Sequence, residues 1–386
     1  MRSVLILGGR APVALDHARR FAHQGWRVFV ADSVSMRLSG WSSAVSGSIA
    51  LASPRFDPNG FVAGLRRAIE THAIELVVPT CEEVFFLARY RAALPATCRV
   101  LVDDFDKLRL LHSKWDFLAL AEACGGNPPA SSTVTGIGAA REWAAGRPLV
   151  LKPEYSRFGV NVRLYPDGIP AVAPALPERG RWVAQTFCEG RELCSYSVAD
   201  RGRVLAHAVY WGKHRLRRSA SYFFEHHHSP TILAFVEKLV AHLDFTGQIS
   251  FDWIDAGGDR PSVIECNPRA ISGLHLFSAD DALPAALDGS AVRCITPASA
   301  RARMIAPVMA TAGLVQALQP GQSLRQWWRD YRDAGDVVAI PGDRAPALGG
   351  LVDLGAYFAM SLRQRCTMRE AATRDIEWDG EELAAP

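Results

Sequence analysis

Apolar positions in the first hundred residues alternate between two rhythms. Val4-Leu5-Ile6-Leu7 is a short continuous apolar run of buried-strand type, and the segment from about Ala14 to Gln24 carries the spacing of an amphipathic helix. Arg27-Val28-Phe29-Val30-Ala31-Asp32 returns to the strand rhythm. A helix is predicted around Gly60 to His72 and a buried strand at Ile74 to Pro79. This β-α-β-α-β order predicts a parallel sheet covered by helices. Further on, one helix is expected from about Asp106 to Cys124, stopped by Gly125-Gly126 and Pro128-Pro129. Strands follow at Pro148 to Pro153, Trp182 to Gln185 and Cys194 to Val198. Beyond about Gly273 the pattern weakens into mixed helices broken at Pro297, Pro307, Pro320 and Pro341.

The most informative pattern lies between Ile249 and Arg269. Two short β-favouring runs, Ile249 to Ile254 and Pro261 to Asn267, flank Gly257-Gly258, which can supply the positive φ angles of a tight turn. A turn centred on those glycines sets Asp252 opposite Val263. Parity then places Asp252, Glu265 and Asn267 on one face, with Phe251, Trp253, Ile264 and Cys266 directed into a core. Two carboxylates and an amide oxygen make a set suited to a hard cation such as Mg²⁺. The alternative is an ordinary wet sheet face that happens to be acidic.

Composition narrows the function classes. A chain of 386 residues, 49% hydrophobic, is long enough for two or three packed domains. Its net charge of +3 is small and its basic residues are scattered, which gives no nucleic-acid footprint. No stretch stands out as a bilayer-crossing run of roughly 20 apolar residues, and the start lacks the features of a signal peptide. Eight cysteines without a Cys-x-x-Cys pair suggest neither zinc nor disulfides, so a reduced cytoplasm is expected. Arginine greatly outnumbers lysine. The five lysines are Lys107, Lys114, Lys152, Lys213 and Lys238.

Glu265-Cys266-Asn267-Pro268-Arg269, with Asp252 upstream, closely resembles the metal-binding signature of the ATP-grasp superfamily, which includes carbamoyl phosphate synthase and D-alanine–D-alanine ligase. The resemblance covers roughly residues 1–276 and implies an α/β and α+β fold. A Rossmann-like parallel sheet over 1–105 would precede a two-lobed ATP-grasp domain over 106–295, with a small lid lobe at about 130–190. A mixed C-terminal segment, 296–386, would complete the catalytic lobe. By the same resemblance Asp252, Glu265 and Asn267 hold Mg²⁺, with Mn²⁺ an alternative, and Lys114 and Lys152 reach the phosphates of ATP. The loop from Ser156 to Asn161, with its single Gly159, would close over the triphosphate. The backbone from Gln185 through Thr186 and Phe187 to Cys188, taken as an edge strand, would read the adenine, and Glu192 the ribose. Arg269, Ser272 and Gly273 would face the reacting acid.

The implied activity is an ATP-dependent ligase that joins a small-molecule carboxylate to an amine through an acyl phosphate. Alternatives are a thiol or other nucleophile, a kinase stopping at the acyl phosphate, and a nucleotide-binding module without turnover. The glycine-dense lid of biotin carboxylase, a biotin-carrier segment and a glutaminase domain are not found. Neither nucleic acid nor membrane is an expected partner, and a homodimer is left open. Gly8-Gly9 with Asp32 hints at a dinucleotide site, but Pro12 and Val13 stand where a later glycine belongs. His226, His227 and His228 alternate faces on a strand, so a wall of the substrate site is a better expectation for them than zinc. The basic run Lys213, His214, Arg215, Arg217, Arg218 suits either solvent or phosphate, and Trp327-Trp328 either core or interface. Asp375-Ile376-Glu377-Trp378 hints at an ordered end.

Overall fold

A computed structural model of the chain describes residues 1–156, 161–177, 180–216, 221–258 and 260–384. The first sheet is parallel, in the order β3-β2-β1-β4-β5, from β1 (Ser3–Leu7), β2 (Arg27–Asp32), β3 (Gly47–Ala50), β4 (Leu76–Val78) and β5 (Arg99–Val100). Its covering helices are α1 (Pro12–His23), α2 (Pro58–His72) and α3 (Glu83–Tyr90). Strands β1 and β4 are buried on both faces, which is why they are continuous apolar runs.

The helix expected from Asp106 to Cys124 is two helices, α4 (Phe105–His112) and α5 (Asp116–Ala123). Ser113 makes the break. Its backbone is extended, and its hydroxyl accepts from the amides of Trp115 (3.3 Å) and Asp116 (3.0 Å), opening the second helix. Lys114 therefore sits in a corner between helices.

A four-stranded antiparallel sheet follows, in the order β6-β9-β7-β8, with α6 (Ile137–Ala144) against it. Its strands are β6 (Ser131–Val134), β7 (Leu149–Pro153), β8 (Arg163–Tyr165) and β9 (Trp182–Thr186). Strand β9 is internal, paired with both β6 and β7, contrary to the edge position expected for it.

The third sheet runs β14-β13-β10-β11-β12-β15-β16. It comprises β10 (Arg191–Asp200), β11 (Arg203–Arg215), β12 (Ser221–His227), β13 (Gly247–Asp255), β14 (Ser262–Asn267), β15 (Arg303–Met304) and β16 (Gly335–Asp336). One face, with Leu193, Val209, Phe251, Trp253, Val263 and Cys266, packs on α7 (Pro230–Leu243) through Ile232, Phe235 and Val236. The other, with Tyr196, Ala208, Tyr210 and Phe224, is covered by α1, the 3₁₀ turn Ser272–Leu276 and α8 (Leu283–Leu287). Gln248 ties this sheet to the first: its amide donates to the Pro79 carbonyl (2.6 Å), and its oxygen accepts from the Tyr196 hydroxyl (2.7 Å).

The remaining chain forms α9 (Ala306–Val308), α10 (Leu314–Ala317), α11 (Leu324–Asp333), α12 (Ala345–Gln364) and α13 (Met368–Thr373). By length and composition α12 is apolar enough to cross a bilayer, so the expectation that no stretch qualifies is corrected. Asp353 and three glycines interrupt its apolar residues, which hid it from a search for a continuous run. Trp327 is buried, whereas Trp328 is more than half exposed.

The end of the chain returns to the first sheet. Arg10, in the β1–α1 turn, pairs with Asp32 and with Asp375 (2.6 Å) and donates to the Ala372 carbonyl (2.7 Å). These partners keep its guanidinium pKa raised despite the opposing effect of burial. Asp32, the hinted ribose ligand, thus already has a partner from its own chain. Trp378 is 2% exposed and packs among Phe85, Phe105 and Tyr155. Trp378→Ala should lower unfolding stability by about 3–5 kcal/mol; a shift in the urea midpoint worth less than about 1 kcal/mol would mean that the tail is not part of the core.

Candidate active site

Strands β13 and β14 build the floor of a cleft of about 380 Å³. Their register sets Asp252 directly opposite Glu265, not Val263, because a β-bulge interrupts the ladder between Asp252 and Trp253. Trp253 pairs with Val263, so Ile264 is the extra residue. Val263 is buried in the core, and Ile264 lines the cleft, the reverse of the expected parity. The bulge still leaves Asp252, Glu265 and Asn267 on the cleft side, as the sequence predicts.

The facing carboxylates repel each other in a partly dry site. Burial raises the Asp252 pKa above the usual carboxylate range, and Glu265 raises it further; Cys194, Arg215 and Arg269 offset part of this. The Asn267 amide donates to Asp252 Oδ2 (3.4 Å), leaving its oxygen to accept from Arg269 (3.2 Å). Two carboxylates with an amide oxygen at adjoining ladder positions make a donor set that fits a hard divalent cation. Among the described residues no group of three or more His, Cys, Asp and Glu has metal-holding geometry, so the amide oxygen of Asn267 is needed to complete a trio.

Both expected lysines arrive at this floor. Lys152, on β7, is 4% exposed and donates to Gln185 Oε1 and to the Ile264 carbonyl, each at 2.9 Å. The bulge is thus where the lid sheet docks. Burial pushes the Lys152 pKa down to about 8, against the upward pull of Glu265. Lys114, 2% exposed, lies 3.6 Å from Glu265 and donates to the Ser156 carbonyl (2.7 Å). Its corner is fixed by Ser113, whose hydroxyl donates to Glu154 Oε1 (2.6 Å).

The adenine segment requires correction. Gln185 is a buried side chain that orients Lys152, and the amides of Thr186 and Phe187 are already used by Ala130 (2.9 Å) and Pro148 (3.2 Å). Of the expected set, Cys188 is the residue beyond these bonds. Glu192 lines the cleft and pairs with Arg215. Arg269 and Ser272 line it too, and Gly273 is buried against Tyr196, where a β-carbon would collide with that side chain. Gly159 and its neighbours Arg157 to Val160 lie outside the described residues, as do Arg217 and Arg218.

Other side chains enter the site without a sequence signal. Arg215 belonged to a basic run with no evident direction; Lys213 and His214 from that run bind Asp330 (2.8 Å each) instead. Glu82, 1% exposed in side chain, stands 3.7 Å from Arg269 and braces it from the first sheet. Cys194 pairs with Asp252 across β10 and β13, and Tyr210 pairs with Cys194 across β10 and β11. His226, His227 and His228 do not line the cleft. His226 lies near His207, whose pKa burial pushes down to about 4, so neither a wall nor a zinc role is carried by the geometry.

Two measurements test this arrangement. The raised folded pKa of Asp252 means that stability falls as pH climbs from its unfolded value through its folded one, leaving an ionised penalty at neutral pH. Asp252→Asn should therefore stabilise the protein by up to about 1 kcal/mol without nucleotide, and should abolish the extra thermal shift given by Mg²⁺ with ATP. A destabilised variant that keeps that shift contradicts the reading. Burial holds the Lys152 pKa down at about 8, and a phosphate bound beside it would hold its proton on. Calorimetry at about pH 8.5 in buffers of different ionisation enthalpy should show uptake of up to about one proton on ATP binding, absent in Lys152→Met; equal values for the two proteins would exclude the contact.

No protein-family model matches the chain, and no curated protein matches it by sequence. Solved structures do match. Biotin carboxylase from Campylobacter jejuni, in a complex with a β,γ-ATP ligand, aligns with a TM-score of 0.58 at 16% identity, covering 75% of this chain and 70% of that one. N5-carboxyaminoimidazole synthetase from Staphylococcus aureus, complexed with ADP, gives 0.58 at 14% identity over 76% and 79% of the two chains. L-amino acid ligase from Bacillus licheniformis gives 0.52 at 16% identity over 74% of each. A parallel first sheet, a four-stranded antiparallel sheet and a large, mainly antiparallel sheet packed around one charged cleft, in company with these structures, give this chain the ATP-grasp fold.

Proposed function

We propose that the protein is an ATP-dependent carboxylate–amine ligase working through an acyl phosphate. The observation that carries this is the convergence of Lys114 and Lys152 on the opposed pair Asp252 and Glu265, with Arg269 beside them, at the junction of all three sheets. Similar structures support ATP as the nucleotide: one is a β,γ-ATP complex and another holds ADP.

In this reading Lys152 and Lys114 bind the phosphates, Cys188 and its neighbours the adenine, and Glu192 the ribose. Asp252, Glu265 and Asn267 hold Mg²⁺, which would neutralise phosphate charge and align the transferred group. Arg269, Ser272 and the backbone at Gly273 receive the acid. An oxygen of that acid attacks the γ-phosphorus, the bond to the bridging oxygen breaks, and ADP departs. The amine then attacks the acyl carbon, phosphate leaves with the bonding electrons, and the amine nitrogen loses a proton. Arg269 is suited to its place because Glu82 and the Asn267 oxygen hold the planar guanidinium in one orientation. We assign the activity to a reducing cytoplasm, in keeping with eight free cysteines.

Incubating the protein with ATP, Mg²⁺ and a panel of acids and amines should release ADP and phosphate in proportion to amide formed. Glu265→Gln should lower kcat by roughly a hundredfold, about 2.7 kcal/mol of barrier, with an unchanged circular dichroism spectrum. AMP and pyrophosphate as the main products, or wild-type turnover by the variant, would overturn the proposal.

A further inference from the structure

The polarity of α12 is inside out. Its buried side carries Gly349, Asp353 and Ser361, with Asp353 5% and Ser361 7% exposed. Its outward side carries Leu348, Leu351, Val352, Leu354, Phe358 and Leu362, each 41–64% exposed. A helix at home on a wet surface has the opposite arrangement. The inward side is committed: Gly349 packs against Trp41, and α13 and the turn Leu38–Trp41 lie along it. The apolar side therefore cannot turn inward without undoing these contacts.

We propose that this face is the interface between two copies of the chain, paired antiparallel about a twofold axis at Gly355. The sequence is self-complementary about that residue. Leu348 and Leu362 lie seven places to either side, Leu351 and Ala359 four, and Val352 and Phe358 three. In an antiparallel pair Leu348 of one protomer meets Leu362 of the partner subunit, and Val352 meets Phe358 of the partner subunit. Large side chains thus face large or complementary small ones, as an isologous contact requires. The 3–4 spacing of Leu348, Leu351, Gly355, Phe358 and Leu362 makes a straight seam. Gly355, with open space where a β-carbon would stand, lets the two axes approach at the crossing.

The area reaches the low end of the range for specific interfaces, about 1,200 Å² counted over both partners. At roughly 150–200 Å² for each fully exposed side chain, the six residues present on the order of 600 Å² per copy. A standard interface buries about 800 Å² on each partner, and the smaller specific ones about 600 Å². A bilayer is the competing occupant on composition alone, but a spanning α12 would have to carry Asp353 and Ser361 into hydrocarbon.

The surface is independent of the ligase reading, and its test uses no activity. Light scattering of the full chain at tens of micromolar should give twice the chain mass. Leu351→Glu with Leu362→Glu should give a monomer that keeps the wild-type circular dichroism spectrum, because both positions are exposed in a single copy; its melting temperature should be independent of concentration, whereas that of the wild type rises with concentration. In a Cys366→Ser background, Gly355→Cys should form a disulfide-linked dimer in air. Leu348→Cys should not, since its counterpart would lie about 21 Å away. A monomeric wild type, including one that sediments with phosphatidylglycerol vesicles, overturns the proposal. So does a glutamate variant that remains dimeric, or cross-linking at Leu348→Cys equal to that at Gly355→Cys.

Discussion

Two carboxylates cannot face each other across a strand pair in a half-dry cleft unless positive charge is brought to them. Asp252 and Glu265 impose that condition, and their neighbours come from separate parts of the chain. Lys114 comes from a corner between two helices, Lys152 from the lid sheet, Arg215 from the far end of β11, and Arg269 from the end of β14 itself. Local charge balance therefore requires the layers to dock in one arrangement, an electrostatic constraint laid over nondirectional apolar packing. Asp252 stays harder to ionise than an ordinary carboxylate, chiefly because it is buried and next because Glu265 faces it.

The bulge at Ile264 makes this geometry possible. Strand β14 is the edge of its sheet, and Ile264 is the residue left without a ladder partner. Its carbonyl accepts from Lys152, so the bulge in one sheet is the attachment point of another. The first sheet is fastened by different means. Gln248 reaches its strand ends, Glu82 braces Arg269, and the C-terminal tail pins Arg10 while Trp378 meets Tyr155 edge-on, three residues beyond Lys152. Asp32 has become part of this clamp. A dinucleotide ribose would compete there with a guanidinium already held by two carboxylates.

Legibility followed the range of the physics. The β-α-β rhythm, the hairpin and Lys152 at a strand end are local patterns, and each was visible because burial writes itself into adjacent residues. The bulge was not, since nothing in Val263-Ile264-Glu265 distinguishes a regular strand from one with an extra residue; the Lys152 contact decides it. The helix break could have been found from Ser113-Lys114-Trp115-Asp116, an N-cap pattern masked by apolar residues on both sides. The position of β9 inside its sheet depends on β6, some fifty residues earlier, and no pattern within β9 reveals that pairing. Glu82, Arg215 and Cys194 reach the site through tertiary placement alone. For α12 the helical period is present but its polar side is the buried one, so periodicity finds the helix and assigns the wrong face inward.

In a chain so poor in lysine, the choice of lysine at position 152 follows from its surroundings. Its ammonium is enclosed by one amide oxygen and one carbonyl, a pair of acceptors that a compact donor satisfies. A guanidinium would bring five donors into a space that offers two partners, leaving buried N–H groups unpaired at a cost of about 1–3 kcal/mol each. It would also stay charged under all conditions. Lysine can give up its proton when the cleft is open and recover it when negative charge arrives, which is the behaviour expected of a group with its pKa pushed down to about 8 beside a carboxylate pair. Arg269 occupies the opposite kind of place, held from two sides by Glu82 and Asn267 and aimed by its planarity. In the proposed reaction the adjustable cation would lie where phosphate charge comes and goes, and the fixed one where a planar acid would be held in register.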